Sequence, residues 1–255
     1  MKEIYFISPA LPKVNCGVGD HVFNIIKSIK KLKMDLAVNI ITSESDKIDP
    51  TFINANASKN YKLQSWRLGT LIGLIFRLNK NKNDKIFHYQ YPIRYPVFRS
   101  FMFRIIPLAF TLKVFTNKKD KIFITVHEYY KLSKLMQIFK LIELAFADRI
   151  FVVTNIDKVL LSKYFPNNVE FFQVGSNIQH KLQNKNTCLN KIEKSIIFFG
   201  SIDSSKGIDC LVEVMDILNN LQTKYTITML GKFLSKDYEK VFKNHFKEQI
   251  KNNIM

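Results

Sequence analysis

Eight short apolar runs, at about 3–8, 36–42, 85–90, 121–127, 149–154, 169–174, 195–200 and 225–230, punctuate the chain, and stretches of helical periodicity separate most of them. This alternation limits the possible folds more than any other feature. Parallel strands need crossover connections, so a repeating strand–helix pattern predicts an α/β protein built on parallel sheets. At 255 residues there is room for one large domain or two small ones. Hydrophobic residues make up 47% and charged residues 24%, the balance of a packed globular chain rather than a disordered one.

Two of the strand–helix junctions carry glycine. In the later one, Ser195-Ile-Ile-Phe-Phe runs into Gly200, variable residues follow, and Lys206-Gly207 opens a helix over 208–221. The apolar positions of that helix, Ile208, Leu211, Val212, Met215, Leu218 and Leu221, fall on one face. A strand end, a glycine and a helix N-terminus with a lysine suit phosphate oxygens, because free N–H groups, the helix dipole and an ammonium all favour an anion. The earlier junction leads from the strand Glu3–Ser8 through the loop Pro9–Gly19 into a helix whose apolar face is Val22, Ile25, Ile26 and Ile29. Asp20 is placed as its N-cap.

The polar stretch 43–60 reads as a loop, and a helix is expected around 131–147. The stretch 179–194 lacks apolar periodicity and reads as a linker. The expected organisation is therefore a domain over 1–180, a linker over 181–194 and a second domain over 195–255. That second part reads only as strand, helix, strand, helix, less than a nucleotide-binding half usually holds, so it is expected to be incomplete.

The formal charge is +18. With 22 Asn and many Lys, Ile and Phe, part of it fits the coding bias of AT-rich DNA expressed on solvated faces. The functional readings are attraction to an anionic lipid surface or to anionic ligands such as nucleotides. Nucleic acid is not expected as a partner, since no helix-turn-helix, zinc-finger or ribonucleoprotein motif is visible and the lysines are scattered. Cys16, Cys188 and Cys210 lie far apart without CxxC spacing, which argues against a zinc site or disulfide scaffold and fits a reducing cytoplasm. The first residues run straight into a strand without the pattern of a signal peptide. No apolar run reaches the roughly 18–20 residues of a membrane span. Leu68–Leu78 and Phe101–Phe115, the latter broken by Arg104, Pro107 and Lys113, suit either a membrane surface or a helix packed on the sheet.

Several segments, taken in order, resemble glycosyltransferase family 4, whose retaining enzymes have the GT-B fold of two facing Rossmann-like domains. Cys16-Gly-Val-Gly-Asp-His-Val22 resembles the family's glycine-rich first loop, and His88-Tyr-Gln-Tyr-Pro92 and Thr125-Val-His-Glu-Tyr129 resemble two of its strand ends. Ala147-Asp-Arg-Ile-Phe-Val-Val-Thr154, Gly175-Ser-Asn-Ile178, the Gly200–Gly207 loop and Thr226–Gly231 continue the series. The resemblance implies a nucleotide-sugar donor held between two domains and an acceptor hydroxyl attacking the anomeric carbon with retention. It implies a catalytic contact from His127 to the transferred sugar. Gly17, Gly19, Gly200, Ser201, Lys206 and Gly207 are implied around the donor phosphates, and His21 and His88 near acceptor or sugar. No metal and no cofactor is expected. Glu128 next to His127 is not expected to work with it, because neighbours along a strand face opposite ways.

Two departures bear on activity. Ser201 stands where the family commonly has arginine, and no pair of glutamates separated by seven residues follows Gly231. Two readings stay open. One is a glycosyltransferase of surface-polysaccharide assembly, peripheral on the cytoplasmic membrane face with a lipid-linked acceptor, and present as a C-terminally shortened chain of weak activity. The other is a non-catalytic fragment or degenerate copy that binds acceptor or anionic membrane, or that needs a second polypeptide to complete the donor site.

Overall fold

The computed structural model describes residues 2–8, 17–43, 50–64, 68–91, 108–174, 194–203, 206–220, 226–233 and 235–245. The chain divides into two compact units, Met1–Gln179 and His180–Met255. The linker expected at 181–194 lies outside the described residues up to position 193, as do Cys16, Cys188 and the Gly175–Ile178 turn.

The first unit runs β1 (Lys2–Ile7), α1 (Gly17–Lys31), β2 (Leu36–Ser43), α2 (Pro50–Asn56), β3 (Lys59–Leu63), α3 (Leu68–Asn79) and β4 (Lys85–Tyr91). It continues with α4 (Leu108–Phe115), β5 (Lys121–Val126), α5 (Lys134–Leu144), β6 (Arg149–Val152), α6 (Asn155–Ser162) and β7 (Val169–Phe171). All seven strands are parallel, in the order β3-β2-β1-β4-β5-β6-β7. The order reverses between β1 and β4, so the crevice beyond their carboxyl ends is the topological switch point where such sheets bind ligands.

Alternation along the strands divides the core in two. Tyr5, Ile7, Phe87, Tyr89, Ile122, Ile124, Val126, Ile150 and Val152 face α3–α6 and pack with Leu71, Leu74, Ile75, Leu112, Leu144 and Leu161. Ile4, Phe6, Val38 and Ile40 face the other way and pack with Val22 and Ile26 of α1 and Ile53 of α2. Helices on both faces explain why the central strands read as continuous apolar runs instead of alternating ones.

Two local expectations are corrected. The stretch 43–60 is not a loop, for it holds α2 and the start of β3. β3 is an edge strand with only Leu63 buried, and its Lys59, Asn60 and Lys62 hide the period-two signal. α1 starts at Gly17, which puts Asp20 in its first turn, favourable to the helix dipole, rather than at the N-cap. The helix expected around 131–147 is present as α5, preceded by a short 3-10 turn, Tyr129–Lys131. Ser133 caps α5, its hydroxyl accepting from the Met136 N–H at 3.5 Å.

The second unit comprises β8 (Ser195–Phe199), α7 (Ile208–Asn220), β9 (Thr226–Leu230) and α8 (Lys236–His245). β8 and β9 pair in parallel from Ser195↔Thr226 to Phe199↔Leu230. Their backbones stay together past the strand ends, with the Gly200 N–H donating to the Leu230 carbonyl at 3.0 Å and the Ile202 N–H to the Lys232 carbonyl at 3.0 Å. The approach is so close that a Cβ on Gly231 would lie 1.7 Å from the Gly200 carbonyl oxygen. Tyr238 on α8 donates to Asp209 on α7 at 2.9 Å. Ile197, Phe199 and Leu230 share one sheet face and are exposed. Among the described residues of the whole chain, no helix is long and apolar enough to cross a membrane.

Candidate functional site

The carboxyl ends of β4 and β5 meet the first turn of α1 at the switch point. His88 and Gln90 stand two residues apart on β4 and so share a face; Gln90 lies opposite Thr125 of β5 in the parallel register. Both strands are central, and His88, Gln90 and Thr125 are all buried. His127 follows the last residue of β5, half-buried.

These four side chains form one continuous hydrogen-bonded series. His127 Nε2 is 2.8 Å from Gln90 Oε1, Gln90 Nε2 is 3.3 Å from Thr125 Oγ1, and Thr125 Oγ1 is 2.9 Å from His88 Nε2. An amide oxygen only accepts, so His127 Nε2 must carry the proton and donate. Gln90 then donates to Thr125, and the Thr125 hydroxyl is free to donate to His88 Nε2. The result is a directional chain that fixes the tautomer of His127 and leaves its Nδ1 lone pair as an acceptor.

Burial keeps these rings neutral. Desolvation, with a smaller effect from His21, pulls His88 down to about 3. His88 is walled by Phe6, Phe123 and Phe151 at centroid distances of 5.2, 6.3 and 5.8 Å. Desolvation also lowers His127 to about 4, with His21 adding to the fall and Glu128 opposing it. At neutral pH His127 therefore acts as a hydrogen-bond partner and not as a cation.

His21 completes the group from α1. It is 4% exposed and held edge-on to His127 at 5.7 Å and to Phe172 at 5.6 Å. Its Nε2 is buried without a hydrogen-bond partner among the described residues. Burial lowers its pKa as well. An unsatisfied buried ring nitrogen costs on the order of 1–3 kcal/mol, a cost native folds tolerate mainly where a ligand or water supplies the partner. Gly17 opens α1 and Gly19 is buried in its first turn, beside His21.

The structure thus brings together three of the expected residues, His21, His88 and His127, around Gln90 and Thr125, which sequence reasoning did not single out as site residues. The signal was present, since Gln90 lies one strand period from His88. Glu128 is kept apart from His127 by a left-handed backbone at φ 54 and by its ion pair with Lys131 at 2.5 Å, not by strand alternation. In the second unit, Gly200, Ser201, Lys206 and Gly207 lie between β8 and α7, with positive φ at Gly200 (142) and Gly207 (70). Lys206 and Gly207 are exposed. The Lys206 N–H closes the turn on the Asp203 carbonyl at 3.1 Å. Among the described residues, no group of three or more His, Cys, Asp and Glu could hold a metal ion. An open depression lined by Tyr5, Lys59, Tyr61 and Arg77 lies by the end of α3 that leads into β4, away from the switch point.

No protein-family model and no curated protein matches the sequence. Solved structures do match. An alpha-glucosyltransferase in complex with UDP-glucose and DNA aligns with a TM-score of 0.56 and 15% identity, over 96% of this chain and 60% of that one. The catalytic domain of starch synthase IV from Arabidopsis thaliana, bound to ADP and acarbose, aligns with a TM-score of 0.58 and 10% identity, over 99% of this chain and 72% of that one. TarM from S. aureus, in complex with UDP among other ligands, aligns with a TM-score of 0.60 and 12% identity, over 98% and 76%. The fold is GT-B-like, an α/β architecture of Rossmann-like units with parallel sheets. The chain spans about 60% of the length of the first of these structures.

Proposed function

We propose that the chain serves glycosyl transfer from a nucleotide-sugar donor to a hydroxyl acceptor, in the manner of glycosyltransferase family 4. The observation that carries this reading is the neutral chain His88–Thr125–Gln90–His127 at the switch point of a GT-B-like fold, with the His21 ring, whose Nε2 has no hydrogen-bond partner among the described residues, edge-on to His127. A sugar is a dense array of hydroxyl groups, and neutral imidazoles with fixed tautomers recognise hydroxyls by donating and accepting at set positions. His127 Nδ1 accepts from a hydroxyl of the transferred sugar next to the anomeric centre, and His21 Nε2 offers a further polar contact to acceptor or phosphate. Donor phosphates are assigned to Gly200, Ser201, Lys206 and Gly207 in the second unit, and to Gly17 and Gly19 in the first. The ammonium of Lys206 offsets charge that builds on the leaving diphosphate.

The acceptor we assign is lipid-linked, in surface-polysaccharide assembly, with the protein peripheral on the cytoplasmic face of an anionic membrane. The charge of +18 supports this reading. The alpha-glucosyltransferase structure contains DNA. For this chain, the scatter of lysines and the neutral, hydroxyl-reading site favour a glycan over a nucleic acid.

Calorimetric titration of the purified chain with UDP-glucose, ADP-glucose and the free diphosphates tests the donor assignment. Lys206→Ala should weaken diphosphate binding about tenfold, about 1.4 kcal/mol. His127→Ala should weaken the sugar nucleotide and leave the free diphosphate unchanged. Failure of every nucleotide and nucleotide sugar to bind at millimolar concentration would overturn the reading.

A further inference from the structure

Helix α5 turns a charged pair to the core beside Leu141 and Leu144. Lys140, 2% exposed, bonds Glu143, and Glu143 also accepts from the Tyr89 hydroxyl of β4. Burial pulls the Lys140 ammonium down to about 8 even with this partner. The apolar residues Leu135, Met136, Ile138, Phe139 and Ile142 point outward, Leu135 being 63% exposed. Folding in water alone would favour the opposite arrangement.

The outward apolar face does not stop at α5. α4 packs against both α5 and α3, and it exposes Phe110 and Val114 while burying Leu108, Ala109 and Leu112. Phe110 stacks edge-on to Phe146 at 5.1 Å, just beyond α5, and Phe115 meets Phe76 of α3 at 5.8 Å. Phe76 is exposed too. The rest of the stripe on α3, namely Leu71, Leu74, Ile75 and Leu78, lies in the core, so the Leu68–Leu78 segment, read from the sequence as suiting either a membrane surface or packing on the sheet, offers little to a membrane beyond Phe76. The first part of the other such segment, Phe101–Phe115, lies outside the described residues up to position 107.

We infer that the α3–α4–α5 surface, centred on α5, docks into the headgroup region of an anionic lipid layer. Charge decides among possible occupants. The three helices carry one acidic residue, Glu143, and it is buried, whereas Arg77 and Lys134 are exposed beside the apolar patch, as is Lys113, which pairs with Asp148 at 3.2 Å. Apolar side chains flanked by cations, with no exposed carboxylate on the three helices, match an interface of acyl chains below anionic headgroups. A second copy of the same surface does not match, because two chains of +18 repel. α5 also starts just after His127 and the Tyr129–Lys131 turn, so its N-terminus lies on the site edge of the sheet. The surface would then present the candidate site to an acceptor carried in the membrane, and in this the inference rests on the proposed function.

The experiment is co-sedimentation of the full chain with vesicles of phosphatidylglycerol and phosphatidylcholine in equal parts, and with phosphatidylcholine alone. Ile138→Ser/Phe139→Ser on α5 should lower binding to the anionic vesicles by about tenfold or more. Ile156→Ser/Val159→Ser, which removes exposed apolar residues from α6, should leave it unchanged. Lys134→Glu should weaken binding most at low salt. All these positions are exposed, so the circular dichroism melt should not move. Wild-type vesicle binding by the α5 double variant would overturn the inference. So would lipid-free self-association of the wild type that this variant abolishes, since that would make a second copy the occupant. Nucleotide binding is measured without lipid, so a failure here leaves the donor assignment standing, and a failure there leaves the lipid surface standing.

Discussion

Lowering the pH from about 7.5 to about 5 should destabilise the first unit by about 4 kcal/mol, chiefly through two histidines. Free histidine titrates near 6.5, whereas folding lowers His88 to about 3 and His127 to about 4. A base whose folded pKa is depressed binds protons more tightly in the unfolded chain, so unfolding gains ground as pH falls through the unfolded value. Each such group contributes about 1.4 kcal/mol per pH unit once pH is well below 6.5 and above its folded pKa, which gives about 2 kcal/mol apiece at pH 5. His21 shifts in the same direction and adds to the loss. The depressed carboxylates Glu3 and Asp148 start from 4.5 and 3.8, so their contributions fade mainly below this window. A total of 4 kcal/mol is a large part of the roughly 5–15 kcal/mol typical of a domain. Hydrogen exchange of the β1 and β5 amides reads the opening of this unit by itself. His88→Gln/His127→Gln, which keeps polar groups in place without titrating, should flatten the pH dependence to the small remainder due to His21. If the double variant lost stability between the two pH values as steeply as the wild type, the histidine account would be refuted.

Lys140→Met should destabilise the first unit by about 3 kcal/mol or more in urea denaturation, because the Glu143 carboxylate stays buried without its counter-ion. Adding Glu143→Gln, which keeps an acceptor for Tyr89 and removes the charge, should restore most of that loss; no recovery would show that packing and not charge matters at this position. Gly231→Ala should lower the melting temperature of the second unit and cost about 3 kcal/mol, since its Cβ would overlap the Gly200 carbonyl and force the two strands apart. Unchanged melting in that variant would mean that the strands past β8 and β9 separate freely.

The sheet was legible because its central strands are buried on both faces and their apolar runs stand out from everything around them. The same logic explains the omission of α2 and β3. At the sheet edge, the buried apolar positions of these two elements among the described residues are Ile53 and Leu63, too few to set a period. The site was half legible. Its histidines stand out as residue types and Gln90 lies one strand period from His88, whereas Thr125 joins them only through the parallel register of β4 and β5, a long-range fact that local periodicity does not carry. α5 was least legible. Its apolar residues give a strong helical signal, but periodicity reports that a face exists and not which way it turns. The direction is set by Tyr89, which offers a polar anchor to Glu143 from inside the core.

That anchor ties the candidate site to the proposed lipid surface through a single strand. On β4, His88 and Gln90 project to the α1 side and join the hydrogen-bonded chain, while Phe87 and Tyr89 project to the α3–α6 side. Tyr89 therefore holds α5 in this orientation from a position between the two site residues. β4 is paired on both sides, by β1 and by β5, which gives it little freedom to slide or twist. Tyr89→Phe would take one donor from Glu143 without opening a cavity, and would cost about 1–2 kcal/mol. Its expected signature is a loosened α5, seen as faster amide exchange over 134–144 with the β4 amides still protected. Weaker vesicle binding should accompany it, with nucleotide affinity unchanged. Equal exchange rates in the variant and the wild type would mean that core packing by Leu141 and Leu144 holds the helix, and that the polar pair is tolerated rather than used.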